Sequence, residues 1–428
     1  MTARTSGLFR SLRGFNYRVW AGGALVSNIG TWVQRTAQDW LVFSQLTHHD
    51  ASAVGLVMAL QFAPQLLLLP WTGVTADRWN QRRLLMATQA TMAILAMALG
   101  ALTVTGVVQL WHVDAFAFLF GCAAAFDPPV RQTFVSELVG DDDLHNAVAL
   151  NSTSFNAARM IGPAVSGMVI AEIGTGWAFV INGTSFLAVL ISLALLRVDE
   201  LRPAARAARA RGGFVEGVRY AWHRPDLRAI LVMLFLIGTF GLNFPIFISA
   251  MAVDVFQADA SGYGLLSSLM AVGTVTGALL SAGRGRPRFG LLPVGAAVFG
   301  LGCVLAAIAP DYWLFAIALV VTGGASLTFA NATTSLMQSS TEAAMRGRIM
   351  ALRVGIALGG TPIGAPVAGW VADAWGPRWA LAVGAASGFA AAAVAVLAMI
   401  RPGGSGSLKF AELRSAVRRP ATVPSKKS

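Results

Sequence analysis

Apolar runs of about 20 residues, the length that crosses a ~30 Å hydrocarbon core, alternate with short polar breaks along almost the whole chain. They predict twelve membrane-crossing helices, near 17–46, 52–73, 84–106, 111–135, 147–173, 177–196, 228–253, 262–283, 289–309, 312–338, 349–372 and 379–400. The breaks alternate in charge. Arg and Lys crowd the amino terminus, 78–83, 197–228, 284–288, 346–353 and the carboxyl tail, whereas the segments near 47–51, 107–110, 174–176, 254–261 and 310–311 hold none; Arg378 is the exception. Basic residues stay on the cytoplasmic side of a bilayer, so the pattern predicts an even number of spans with both termini in the cytoplasm. Trp20, Trp71, Trp111, Trp177, Trp313 and Trp379 lie near span ends, where an interfacial belt belongs. Trp32 does not fit that belt.

The pattern also predicts two halves. Residues 1–196 and 228–400 each hold six spans, joined by a basic linker over 197–227 in which Arg202, Arg206, Arg209 and Arg211 are spaced among alanines. That spacing reads as an amphipathic helix lying on an anionic membrane surface. Gly121, Gly167, Gly174 and Trp177 recur as Gly323, Gly369, Gly376 and Trp379 at one constant offset. A parallel repeat of this kind is one route to a transporter built from two related halves. The tail over 401–428, rich in Gly, Ser and basic residues, reads as disordered and cytoplasmic.

Composition agrees with an all-α membrane protein. The 428 residues are 56% hydrophobic and 12% charged, with a mean hydropathy of +0.64, which excludes an ordinary soluble surface. A net charge of +12 would suggest nucleic acid in a soluble chain. Here the basic residues sit in the breaks, so the excess is topology and no nucleic-acid partner is expected. Cys122 and Cys303 lie in separate apolar runs without ligand spacing, and no metal is expected. His48, His49, His112, His145 and His223 all fall in loops or at helix ends, so none is expected to act as a buried switch. The first residues, with Arg4, Arg10 and Arg13, show no small-residue cleavage site and predict no removable leader.

The stretch Gly73-Val-Thr-Ala-Asp77-Arg78-Trp-Asn80-Gln81-Arg82-Arg83 is the first dense polar break. It resembles the loop between the second and third helices of major facilitator superfamily transporters, Gly-x-x-x-Asp-Arg-x-Gly-Arg-Arg. Gly73, Asp77, Arg78 and Arg82 fill the pattern; Asn80 and Gln81 depart from it. Asn tolerates the left-handed turn that Gly would supply. Gly162-Pro163-Ala-Val-Ser166-Gly167 resembles the Gly-Pro-x-x-Gly-Gly motif of the fifth helix in antiporters of that superfamily, with Ser166 for one Gly. Proline removes a backbone bond and glycine permits close approach, which makes a bendable, tightly packed seam. The run from Phe126-Asp127-Pro-Pro-Val-Arg131-Gln132 through Leu144-His-Asn-Ala147 to Asn156-x-x-Arg159 is similar to the enterobactin-exporter and drug-efflux branch.

The resemblance implies the major facilitator fold, twelve helices in two six-helix halves, and export of small organic molecules. It implies that Asp77 faces the amino end of span eleven as part of a cytoplasmic gate with Gly73, Arg78, Arg82, Asp127 and Arg131.

Charges inside the bilayer cost several kcal/mol unless paired or hydrated, and each is a functional candidate. Among the acids only Asp39 and Asp127 fall well inside a span; among the basic residues Arg35 and Arg159 lie deepest, with Arg131 nearer the cytoplasmic end. At ~1.5 Å per residue, Arg159 is near the midplane, Arg35 about 5 Å outward and Asp39 about 10 Å outward. Arg35 and Asp39 are one turn apart on one face. Either they neutralise one another, or Asp39 carries a proton whose ionisation burial and Arg35 influence in opposite directions. Gln34, Gln61, Asn156, Asn243 and Asn331, with Arg159, are the candidates for a substrate cavity, although some such groups serve only as interhelical bonds.

No Walker loop, metal cluster or nucleophile elbow occurs. The chain is therefore expected to be no enzyme, to bind no cofactor, and to draw on a proton gradient. The expected protein is a monomeric proton-coupled exporter in the cytoplasmic membrane. The alternatives are an uptake symporter or uniporter, and a lipid flippase or non-transporting sensor on the same fold.

Overall fold

A computed structural model describes residues 9–202, 214–282 and 289–400. The tail over 401–428, Arg206, Arg209, Arg211 and the side chains of Gly73 and Asp77 lie outside the described residues. All regular structure among those described is helical. In chain order the α-helices are α1 (Phe15–Trp40), α2 (Ala51–Leu67), α3 (Leu69–Arg78), α4 (Gln81–Val104), α5 (Leu110–Leu138), α6 (Asp141–Ile173), α7 (Thr175–Ala194), α8 (Phe214–His223), α9 (Pro225–Leu236), α10 (Phe244–Ala250), α11 (Ala260–Ala282), α12 (Leu292–Ile308), α13 (Tyr312–Ser340), α14 (Ala343–Trp375) and α15 (Pro377–Ile400). Helix α1 runs on into a π-helical turn over Leu41–Leu46, and π-turns over Ile237–Gly241 and Met251–Val255 flank α10, so that Pro225–Val255 forms one continuous apolar passage.

Nine helices among the described residues are long and apolar enough to cross a membrane by length and composition. The sequence pattern predicts twelve, and the shortfall has a physical cause. Helix α1 carries Asn28, Gln34, Arg35, Gln38 and Asp39, and α6 opens on three aspartates and carries Asn156 and Arg159, so both are diluted by the polar groups a transport path would need. The expected second span is broken at Leu68, just ahead of Pro70 at the start of α3; the first turn of a helix suits proline, whose missing N–H needs no partner there.

Glycines set the helix spacing. A Cβ on Gly23 would meet the Ala188 carbonyl of α7 at 2.7 Å, and one on Gly388 would lie 2.7 Å from the backbone of Gly300, which joins α15 to α12. In lipid, where burial gives no extra drive between helices, such close backbone packing does much of the holding. The residues of the expected repeat are placed alike. Gly121 of α5 lies against the Gln61 carbonyl, and Gly323 of α13 against that of Met270. Gly174 and Gly376 both end helices at positive φ, +95° and +97°, a geometry glycine adopts without strain.

Trp71, Trp111, Trp177, Trp313 and Trp379 are exposed, as a belt requires. Trp20 is not. It is 1% exposed and packs beside Tyr17, whose hydroxyl donates to the Ala147 carbonyl at 2.8 Å, so it belongs to the core between α1 and α6. Asn80 does not take a left-handed turn either. At φ −66° it is the N-cap of α4, its side chain accepting from Arg83 N at 3.0 Å, a role that Asn fills and Gly cannot fill with a side chain.

Candidate functional site: a charged cavity between the two helix sets

The amino-terminal helices, through α7, meet those from α9 onward along two seams. Helix α6 crosses α11 where a Cβ on Gly167 would lie 2.7 Å from the Ala260 carbonyl and one on Gly264 would strike that of Pro163. Helix α2 crosses α14 where a Cβ on Gly55 would lie 2.5 Å from the Ala365 carbonyl and one on Gly369 would strike that of Ala51. The two seams are built from like contacts, each a glycine against the first residues of the facing helix, and lie toward the same end, the end remote from Phe15 and Ile400. His49, in the loop before α2, pairs there with Asp254 of the π-turn after α10 at 2.8 Å.

On the other side of those contacts lies a cavity of about 320 Å³. Most of its lining residues fall toward the terminal end of the bundle from the seam: Met58, Gln61 and Phe62 follow Gly55 on α2, Ser267 and Met270 follow Gly264 on α11, Arg159 precedes Pro163 on α6, and Thr361 precedes Ala365 on α14, while Tyr263 and Pro163 line it at the seam itself. The seams therefore seal one mouth. A larger void of about 870 Å³ lies between α11, α12 and α13, walled mainly by small and apolar residues. The smaller cavity is the better candidate because the ionisable groups converge on it.

Three of those groups are Arg35, Asp39 and Arg159. Asp39 is buried and accepts from the Tyr263 hydroxyl at 3.4 Å, a contact that joins α1 to α11 across the two sets. Arg35 and Asp39 share the cavity but form no ion pair within 4.0 Å among the described residues, and neither does Arg159 with any acid. The two guanidiniums instead flank Trp32, their central carbons 5.1 and 5.4 Å from its ring centroid; Arg35 also lies 5.7 Å from that of Phe62. Cation–π contacts of this kind offset part of the desolvation cost. They do not neutralise charge, and the Arg35 Nε has no hydrogen-bond partner. A cavity with two arginines and one carboxylate attracts anions.

The other expected cavity residues divide. Gln61 lines it. Gln34 is buried between α1 and α7 and accepts from Asn182 Nδ2 at 2.6 Å, an interhelical bond. Asn156 donates back to the Ser152 carbonyl at 2.8 Å, Asn243 to that of Thr239 at 2.7 Å beside a π-turn, and Asn331 lines the larger void. Gly162 is pressed against Trp32, Pro163 lines the cavity and Gly167 builds the seam, while Ser166 donates to the Val33 carbonyl at 2.9 Å.

Of the expected gate residues, the side chains of Gly73 and Asp77 lie outside those described, and the others have separate surroundings. Asp127 and Arg131 pair at 3.0 Å on α5, and Gln89 of α4 donates to the same carboxylate at 2.6 Å. Arg82 donates to the Leu193 carbonyl at 2.7 Å, satisfying the end of α7. Arg78 is exposed.

A family described as transmembrane secretion effector matches residues 7–414. The chain belongs to this family, within the major facilitator superfamily. It is 27% identical over 370 residues to the multidrug efflux pump Tap of Mycolicibacterium fortuitum, covering 82% of this chain and 88% of that one. It is 25% identical over 370 residues to the enterobactin exporter EntS of Shigella flexneri, covering 83% and 84%. The fold matches that of a bacterial homologue of the human lysosomal transporter Spinster, in an inward-facing and unoccupied conformation, with a TM-score of 0.68 at 16% identity, over 95% of this chain and 99% of that one. The protein is thus a multi-pass membrane transporter and not an enzyme.

Sequence reasoning missed Tyr263, Phe62 and Phe244 in the cavity of this transporter. Trp32 carried a signal, since it alone among the tryptophans considered for the belt was remote from a span end. Tyr263 carried none: four residues into its helix, it looks like any residue near a span end.

Proposed function

We propose that the protein is a proton-coupled exporter of small neutral or anionic organic molecules, built from twelve spans in two six-helix halves with both termini in the cytoplasm. The three helices that fall short of a strict apolar span are those that are broken or carry polar path residues, and the equivalent glycine contacts support a repeat of two halves. With the basic breaks placed in the cytoplasm, the sealed mouth is extracytoplasmic and the cavity faces inward, as rocking of the halves about a central site requires.

The observation that carries this reading is the unequal charge of the cavity: two guanidiniums, neither in an ion pair within 4.0 Å among the described residues, beside one carboxylate that joins the two helix sets through Tyr263. An anionic substrate would pair with the guanidiniums. Ionised Asp39 is a good acceptor for Tyr263 and ties α1 to α11 while the outer mouth is closed. Once substrate has carried the halves outward, Asp39 takes a proton at the open outer mouth, and after the return it gives that proton up at the inner mouth, where the re-formed bond from Tyr263 favours the ionised carboxylate. The names of Tap and EntS, an efflux pump and an exporter, support outward transport. In everted vesicles, catecholate and carboxylate compounds are expected to be carried at least tenfold faster than ethidium-like cations. Faster transport of the cations would contradict the charge assignment.

For Asp77 we propose the gate role at the cytoplasmic mouth, facing the amino end of α14 when that mouth closes. An anion at a helix terminus contributes up to ~1–2 kcal/mol. Asp77→Asn is therefore expected to slow turnover by roughly five- to thirtyfold with little change in substrate Kd. Wild-type turnover in this variant would remove Asp77 from the gate.

A further inference from the structure

Asp373 stands in the last turn of α14, and its carboxylate reaches across to the start of α2. It accepts from Ala51 N at 2.8 Å and Ser52 N at 2.9 Å, and the Ser52 hydroxyl donates to it as well. Those amides belong to the first turn of α2, where a helix leaves its donors without partners and its dipole favours an anion. Helix α2 already has its own N-cap, Asp50, which accepts from Ala53 N at 3.0 Å. The second carboxylate comes from the opposite helix set.

The other seam shows that packing does not require it. Gly167 approaches Ala260 and Ser261 at the start of α11 as Gly369 approaches Ala51 and Ser52 at the start of α2, and Asp259 accepts from Gly262 N as Asp50 accepts from Ala53 N. At the offset that relates Gly167 to Gly369, the position matching Asp373 is Ala171. One seam is packed alone, and the other is packed and held by a carboxylate.

We propose that Asp373 is the latch of the extracytoplasmic gate, holding the outer end of α14 to α2 while the cavity faces inward and releasing it as the halves rock. This rests on the transporter reading above. Together with Asp77 it makes α2–α3 and α14 a pair that exchanges caps, one carboxylate closing each mouth in turn. The latch is exposed at its outer side, so water can replace its bonds on opening, and it can be strong enough to bias the gate without locking it.

The test reads sidedness rather than transport. In a background lacking Cys122 and Cys303, Thr361→Cys places a thiol in the cavity lining, and a membrane-impermeant maleimide is applied to right-side-out and to inverted vesicles. Asp373→Ala is expected to raise the outside-to-inside labelling ratio about fivefold, the population change that ~1 kcal/mol makes. Ser52→Ala, which removes one of three donors, is expected to raise it about twofold, and the double variant to add little to Asp373→Ala because the two residues act through one contact. A purely structural cap would lower the amount of folded protein and leave the ratio unmoved; an unchanged ratio in both single variants overturns the latch. If Asp373→Ala does not fold, Ser52→Ala alone decides. A wild-type reporter labelled from one side only would contradict alternating access itself, a different outcome from equal ratios in wild type and variants.

Discussion

Asp39→Asn will abolish uphill export while leaving substrate binding intact. The substitution keeps the shape of the side chain and its ability to accept from Tyr263, but it removes the one cavity carboxylate seen among the described residues. Without it no group in the cavity can take a proton at the outer mouth and release it at the inner one, so accumulation against a gradient should fall at least tenfold, to the background of untreated vesicles. Downhill exchange of substrate for substrate should persist, since the arginines and aromatic walls remain. The contrast between the two assays carries the argument, because a misfolded variant would lose both. If Asp39→Asn still drives uphill export with normal proton exchange, the carrier is elsewhere and Asp127 becomes the candidate. The structure argues against that, for Asp127 is held by Arg131 and Gln89 outside the cavity lining.

Gly264→Val will stop transport by a different route. Its Cβ would strike the Pro163 carbonyl, with the Gly167 backbone at 3.0 Å, and neither is a flexible side chain that can move aside. Overpacking of this kind costs typically ~1–3 kcal/mol, and the cost falls only on the state in which α6 and α11 touch. The inward-facing state should lose population relative to the outward-facing one by roughly five- to 150-fold, and turnover should fall in proportion. Gly22→Val is the control, since a Cβ there meets nothing within 4 Å. A Gly264→Val protein that transports at the wild-type rate would mean that the α6–α11 seam does not close and open during the cycle.

The fold was readable because each span is a long apolar run bounded by polar breaks, a signal that needs no knowledge of partners. Where the reading weakened, the helices were performing other tasks. The break at Leu68, ahead of Pro70, and the polar load of α1 and α6 blur a criterion based on apolarity alone, and these are also the segments nearest the proposed path. The site was legible by depth, which singled out Arg35, Asp39 and Arg159. It was not legible by partner. Periodicity puts Arg35 and Asp39 on one face of α1, yet Asp39 bonds to Tyr263 on α11 and Arg35 turns to Trp32 and Phe62. In the same way Gln34 and Gln61 look equivalent in sequence, and only the placement of α7 beside α1 makes the first an interhelical bond. Arg82 matches a family motif, but it lies where it can satisfy the carbonyl end of α7.

The central claim is that substrate and proton move in opposite directions through one cavity. The most direct test uses purified protein in proteoliposomes with a pH dye inside and no imposed gradient, to which a carboxylate or catecholate substrate is added outside. Coupled exchange predicts that the lumen becomes more alkaline as substrate enters and protons leave, and that Asp39→Asn gives no change. A lumen pH that stays constant while the wild-type protein takes up substrate, or that falls, would contradict the account.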